Sequence, residues 1–148
     1  MDRSIVAEVL KQVWEGDDIP APAPLLRMAA AQAAEKLPGT PYSILTNLAH
    51  AEFWQRIWLN RLQGIKASSF MEDWRVPHLE EWPVIRRAFL TGMEQAMAMA
   101  SAKQLNHKMK SDPAAVATLL NIAVHNAYHL GQINVLKRMQ RLQKQSKG

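Results

Sequence analysis

Apolar residues recur every three to four positions over several stretches of this chain, which is the pattern of amphipathic helices. The first such stretch runs from Asp2 to Glu15 and is ended by Gly16. A proline-rich connector over residues 19–24 leads into an alanine-rich stretch from Leu25 to Leu37, which we expect to be helical but short or irregular. The turn Pro38-Gly39 closes it.

Three longer helices are predicted after this turn. Thr40-Pro41 pairs a capping hydroxyl with a first-turn proline, so a second long helix is expected from there to about Gln63. Residues Ile65 to Glu81 lack a sustained period and predict a long loop. Trp82-Pro83 opens a third helix to about Lys108, and Asp112-Pro113 opens a fourth to about Gln143. Four long helices without an alternating strand pattern predict an all-α bundle.

The composition is that of an ordinary globular domain. The 148 residues are 48% hydrophobic and 21% charged, which predicts one domain over residues 1–148 with a core of its own. The absence of cysteine excludes disulfides, thiolate metal ligands and a thiol nucleophile. Neither a signal-peptide pattern nor an apolar run long enough to span a membrane is present, so we expect a cytoplasmic protein without membrane contact.

The net charge of +5 comes from the end of the chain. Five basic residues and no acidic one lie in the basic tail, residues 137–148, and the rest of the chain has 13 basic and 13 acidic side chains. A basic helix end complements the helix dipole. A nucleic-acid surface would spread basic residues over a face with interleaved aromatics, so nucleic acid is not the expected partner.

Two histidines, His125 and His129, stand four residues apart in the fourth predicted helix, and this spacing puts them on one face. Both imidazoles could reach one metal ion, although two histidines at this spacing can also merely cap or line a core. His50, in the second long helix, is a third candidate ligand. Three imidazoles from two helices would leave coordination positions open, as catalytic metal centres do.

The surroundings of these histidines resemble a known family. The segment Val124 to Ile133, in which His-x-x-x-His is followed by Gly131-Gln132, is similar to the signature of the DinB-like (YfiT-like) family of predicted metal-dependent enzymes. The segment Tyr42 to Trp54, with His50 in an apolar helix and aromatics just after it, resembles the family's other motif.

The resemblance covers nearly the whole chain and carries several implications. It implies a four-helix bundle with up-down-down-up connectivity, whose crossover is the predicted loop Ile65 to Glu81. It assigns the metal triad to His50, His125 and His129, and it implies a homodimer.

Other residues are candidates for the surroundings of the metal. Three polar residues lie on the same stripes and could hold the ligands, although one or two of them could instead face solvent or bridge helices: Asn47, Asn121 and Gln132. Two tryptophans could line a pocket or belong to the core: Trp54 and Trp58. His78 and His107 are expected to be solvated, with His78 keeping a chance of lining the site.

Two functions remain open. Three neutral histidines would leave a divalent ion its full charge, able to lower the pKa of a bound water or thiol. Relatives in the family include S-transferases and isomerases that use bacillithiol, mycothiol or glutathione, so the resemblance implies a thiol S-transferase or a hydrolase acting on a small molecule. The alternative is a non-catalytic dimeric bundle with a structural metal or none. The identity of the metal stays open, because histidine ligands bind zinc, nickel, iron and copper alike.

Overall fold

The computed structural model describes residues 2–147, which form helices and no β-strand. Four helices are long, two are short, and one is a 3₁₀ turn: α1 (Arg3–Glu15), α2 (Pro22–Leu25), α3 (Ala30–Ala34), α4 (Ile44–Leu62), the 3₁₀ turn (Leu79–Glu81), α5 (Trp82–Ser101) and α6 (Asp112–Lys147). The predicted all-α class is therefore confirmed.

Local chemistry explains where most of these helices begin and end. The Asp2 carboxylate accepts a hydrogen bond from the backbone N–H of Ser4 at 2.9 Å and caps α1. Gly16 ends α1 at φ +71°, and a Cβ there would lie 2.6 Å from the Cα of Ala21. Only glycine accommodates so close a return of the chain without strain. Pro83 lies in the first turn of α5, where its missing N–H costs nothing.

Two predicted boundaries of the middle helices were wrong. The second long helix begins at Ile44 rather than at Thr40, because Ser43 caps it by accepting from the N–H of Thr46 at 3.1 Å. The Thr40 hydroxyl instead donates to the carbonyl of Leu37 at 2.6 Å. The helix predicted to reach Lys108 ends at Ser101.

The alanine-rich stretch forms two short helices, and the last helix is longer than predicted. The break between α2 and α3 covers residues 26–29, so the expected irregularity is present. α6 extends to Lys147 and therefore includes almost all of the basic tail.

The four long helices pack in a closed ring, in which α1 lies against α5 and α6, and α4 lies against the same two helices. α4 is buried at every position from Ile44 to Ala51, because α3, α5 and α6 surround it. Its central residues, His50 included, therefore lie inside the fold. None of the helices within residues 2–147 combines the length and apolar character needed to cross a bilayer.

Candidate metal centre

The three predicted ligands converge in the interior. His50 comes from α4, His125 and His129 come from α6, and one ring nitrogen of each lies within 4.8 Å of those of the other two. His50 is 7% exposed and His129 is 3% exposed, while His125 is partly buried. The convergence follows from the packing of α4 along α6.

The spacing of the two α6 histidines suits a shared metal ion. Their Nε2 atoms are 3.1 Å apart. With metal–nitrogen bonds of about 2.0–2.1 Å, this separation corresponds to an angle of about 100° at the metal, between the octahedral and tetrahedral values. The pair can therefore chelate one ion with little movement.

A chain of hydrogen bonds fixes the tautomer of His129. Asn47, fully buried, donates from Nδ2 to Gln132 Oε1 at 3.0 Å, so its Oδ1 is the acceptor 2.7 Å from His129 Nδ1. The hydroxyl of Tyr42 donates to the same Gln132 oxygen at 3.2 Å. His129 therefore carries its proton on Nδ1 and directs the lone pair of Nε2 towards the other histidines.

A loop carboxylate that we did not anticipate from the sequence holds His50. Asp73 Oδ1 lies 2.6 Å from His50 Nδ1, and Asp73 Oδ2 accepts from Trp54 Nε1 at 3.1 Å. Because a carboxylate only accepts, the His50 proton lies on Nδ1 and its Nε2 is free to bind a metal. The one signal in the sequence was that Asp73 belongs to the long predicted loop, since such loops are frequently functional.

His125 is held mainly by packing. Its ring meets that of Trp58 edge to face, with centroids 5.1 Å apart. Its Nδ1 is buried without a hydrogen-bond partner among residues 2–147. Its Nε2 is within hydrogen-bond distance of His129 Nε2, so Nδ1 is the nitrogen of this ring that the described residues leave unsatisfied.

Burial keeps two of the histidines neutral. Loss of solvent lowers the pKa of His125 to about 4, and charge on His50 adds to the effect. Loss of solvent likewise lowers the pKa of His129 to about 4, with further contributions from charge on His125 and His50. Both are therefore uncharged near pH 7, which is the form that binds a metal ion.

Aromatic rings cover His50. Trp74 stacks on it with centroids 3.7 Å apart and planes 12° apart, and Tyr42 stacks on Trp74 at 4.8 Å. Trp74 has φ +59°, a left-handed conformation that is unusual for a bulky residue. This conformation lets two consecutive residues, Asp73 and Trp74, both face His50.

The other predicted residues fall into two groups. Asn47 and Gln132 belong to the network around His129, and the partly buried Trp54 and Trp58 contact Asp73 and His125. Asn121 is exposed and has no hydrogen bond to a histidine within the described part of the chain. Four residues of α-helix turn through about 400°, so a step from His129 to position 125 and again to 121 rotates the side chain out of the core.

The two remaining histidines lie outside the cluster. His78 is exposed and caps the 3₁₀ turn together with Glu81. The His107 side chain is only 8% exposed, contrary to our expectation. Its Nε2 lies 2.6 Å from Asp112 Oδ1, and its Nδ1 accepts from the N–H of Met109.

No family model, curated protein or solved structure matches this chain. The resemblance to the DinB-like family therefore stays a prediction that depends on the two histidine motifs. The geometry supports a coarser conclusion by itself: the chain has a three-histidine group that could bind a metal ion.

Proposed function

We propose that His50, His125 and His129 bind one divalent transition metal ion, and that the protein is a metal-dependent enzyme of the thiol S-transferase or hydrolase type. The observation that carries the metal proposal is the convergence of three imidazoles on one point. Two of them have the other nitrogen already occupied, His50 by Asp73 and His129 by Asn47.

The three imidazole ligands suit a divalent transition metal ion. Three neutral imidazoles form a site for zinc, nickel or iron with positions left for a water or a substrate atom. A divalent ion there supplies a positive charge that lowers the pKa of a coordinated water or thiol towards neutrality. The residues of this chain would hold the ion, fix the ring orientations and keep bulk water away from His50.

The chain has no cysteine, so the thiol of a transferase reaction would come from a low-molecular-weight cosubstrate such as glutathione, bacillithiol or mycothiol. In that reaction the thiol loses its proton, its sulfur forms a bond to an electrophilic carbon, and the leaving group departs with the electron pair of the broken bond. Hydrolysis, with water replacing the thiol, is the neighbouring reaction at the same site.

The proposed fold is the four-helix bundle with up-down-down-up connectivity of the DinB-like family. The closed ring of α1, α5, α4 and α6 supports it, and the segment between α4 and α5 is long enough to serve as the crossover. The proposed partner is a second copy of the chain. Apolar residues more than half exposed form one stripe along α6 and support such contact: Val124, Tyr128, Val135 and Leu142.

The burial of the cluster favours one second candidate, a structural metal in a non-catalytic protein. His50 lies under Trp74, as a ligand of a closed structural site would. The thiol assay separates the two functions: metal-loaded protein is given a panel of low-molecular-weight thiols and a chromogenic aryl chloride, beside the His129→Ala variant.

The enzyme proposal predicts thiol-dependent release of chloride that the variant lacks while its far-ultraviolet circular dichroism stays helical. No turnover with any thiol, together with a lower melting temperature of the variant, would instead support the structural role.

A further inference from the structure

We propose that Asp73 is a positioning residue of the metal centre, and that through it the loop over residues 63–78 is tied to His50. This inference rests on the proposed metal site. Both carboxylate oxygens of Asp73 are used, one 2.6 Å from His50 Nδ1 and the other 3.1 Å from Trp54 Nε1. The His50 and Asp73 side chains are 8% and 24% exposed, so the contact lies largely out of water.

The two bonds give the carboxylate one orientation. His50 and Trp54 stand one helical turn apart on α4, and both donate an N–H to the same group. The rigid helix therefore determines where Asp73 lies, and Asp73 in turn determines the rotation and tautomer of the His50 ring. A carboxylate on the distal nitrogen also makes an imidazole a stronger donor towards a metal.

The corresponding group on His129 is the amide of Asn47, which is neutral and belongs to the same helix as His50. Asp73 differs in both respects, because it is charged and lies on a loop. The metal centre is thus supported from one side by the helical core and from the other by a segment without regular structure.

Beyond Asp73, the loop is exposed over much of its length, and Arg75 pairs with Glu81 at its far end at 2.9 and 3.1 Å. Met71 is 91% exposed and Val76 is 81% exposed. Nearer its ends the loop is also held by the N–H of Ile65, which donates to the carbonyl of Asn60, and by the buried Pro77.

The aromatic and charged contacts to the helices come from Asp73 on His50 and Trp54, from Trp74 on His50 and His129, and from Phe70 stacked on Trp54 at 5.6 Å. The left-handed backbone of Trp74 is strained for a bulky residue, and these contacts must offset that strain. An ion that orders His50 should therefore also stabilise the loop in the conformation that contacts His50.

The test compares three variants of the full chain: Asp73→Ala, Asp73→Asn and Glu72→Gln. Glu72 is the matched control, because it is the neighbouring acidic residue, is exposed, and has no side-chain hydrogen bond among residues 2–147. Glu72→Gln removes one negative charge from the same loop, as the Asp73 variants do, but leaves the contact to His50 in place. Zinc affinity is measured by competition with a chromophoric chelator, and the ligand field by the visible spectrum of the cobalt-loaded protein.

We expect Asp73→Ala to weaken zinc binding by about 10–100-fold and to alter the cobalt spectrum, as loss of an outer-sphere partner does. Asp73→Asn keeps an acceptor for His50 and should bind zinc with intermediate affinity. Glu72→Gln should stay within about twofold of the unchanged protein, because an exposed charge contributes little.

Trypsin provides a second measurement, because Lys66 and Arg75 are cleavage sites within the loop. Zinc should slow cleavage of the unchanged protein and of Glu72→Gln, but not of Asp73→Ala. If the Asp73 variants bind zinc as tightly as Glu72→Gln and show the same zinc protection, the positioning role is wrong while the metal site stands. If the unchanged protein binds neither zinc nor cobalt, the metal proposal itself has failed.

Discussion

A substitution of Gly92 in α5 tests whether the polar contacts behind the metal centre are required for the fold. Gln55 of α4, 1% exposed, donates from Nε2 to the carbonyl of Phe89 at 2.9 Å and accepts at Oε1 from Asn126 at 2.7 Å. Asn126 follows His125 on α6, so this pair of bonds joins α5, α4 and α6 beside the cluster. The amide of Gln55 occupies the space that a side chain at position 92 would need.

The change Gly92→Ala places a Cβ 2.8 Å from Cδ of Gln55 and closer still to its Nε2. Gln55 must then move, which leaves a buried donor or acceptor unpaired at a cost of about 1–3 kcal/mol. Overpacking adds about 1–3 kcal/mol. The higher helix propensity of alanine returns only about 1 kcal/mol, so a net loss of about 1–5 kcal/mol in the free energy of unfolding is expected.

Gly131→Ala is the matched control, because Gly131 also lies within a helix but a Cβ there meets nothing within 4 Å. It should gain about 0.5–1 kcal/mol from propensity alone. Urea unfolding of both metal-free variants is followed by circular dichroism. The free energy of unfolding of Gly92→Ala should be lower than that of Gly131→Ala by at least about 2 kcal/mol, the sum of the smallest unpaired-group and overpacking costs. Equal stability of the two variants would refute the assigned role of Gln55.

Two further predictions concern the histidines, and a third concerns a hydrogen bond from α6 to the carbonyl of Leu25. Asn47→Leu removes the acceptor for His129 Nδ1 and should weaken zinc binding by about 10-fold or more in chelator competition; unchanged affinity would contradict the tautomer argument. The metal-free protein should lose stability to urea as the pH falls from about 6.5 to about 4. The fold lowers the pKa values of His125 and His129 to about 4, so only the unfolded chain takes up these protons in that range. His125→Ala should reduce the dependence of the free energy of unfolding on pH, and an equally steep dependence in the variant would contradict this explanation. Lys137→Met loses a hydrogen bond from Nζ to the carbonyl of Leu25 at 2.7 Å and should lower the free energy of unfolding by about 1 kcal/mol; thermal melting of this variant beside Lys144→Met, at an exposed position, checks it.

Periodicity was sufficient to predict the helical class, and spacing put His125 and His129 on one face and made His50 a third candidate ligand. The assignment of all three to one triad came from the resemblance to a known family. Positions four apart on one helix must share a face, and an apolar helix such as α4 must pack on another, so His50 could reach His125 and His129 without knowledge of the loops. The cap at Ser43 was missed because Thr40-Pro41 satisfies the same local rule three residues earlier, and only the tertiary path of the chain decides between them.

Asp73 could not have been predicted in the same way. It is 23 residues from His50 in the sequence, in a segment with no period, and its position depends on the conformation of the loop. Asn121 follows the alternative that the sequence left open, in which it faces solvent. A stripe at a spacing of four drifts around the helix, so a residue two such steps before the buried His129 faces solvent.

The central claim is that His50, His125 and His129 bind one metal ion, and metal content per chain tests it most directly. Untagged protein is purified without a nickel column, offered zinc, nickel or iron, and measured by elemental mass spectrometry beside His125→Ala and the control His78→Ala, a histidine outside the cluster. We expect close to one equivalent of a divalent metal in the unchanged protein and in the control, and a loss of that metal in His125→Ala. Little metal in all three proteins after all three ions have been offered, or equal metal in all three, would contradict the assignment.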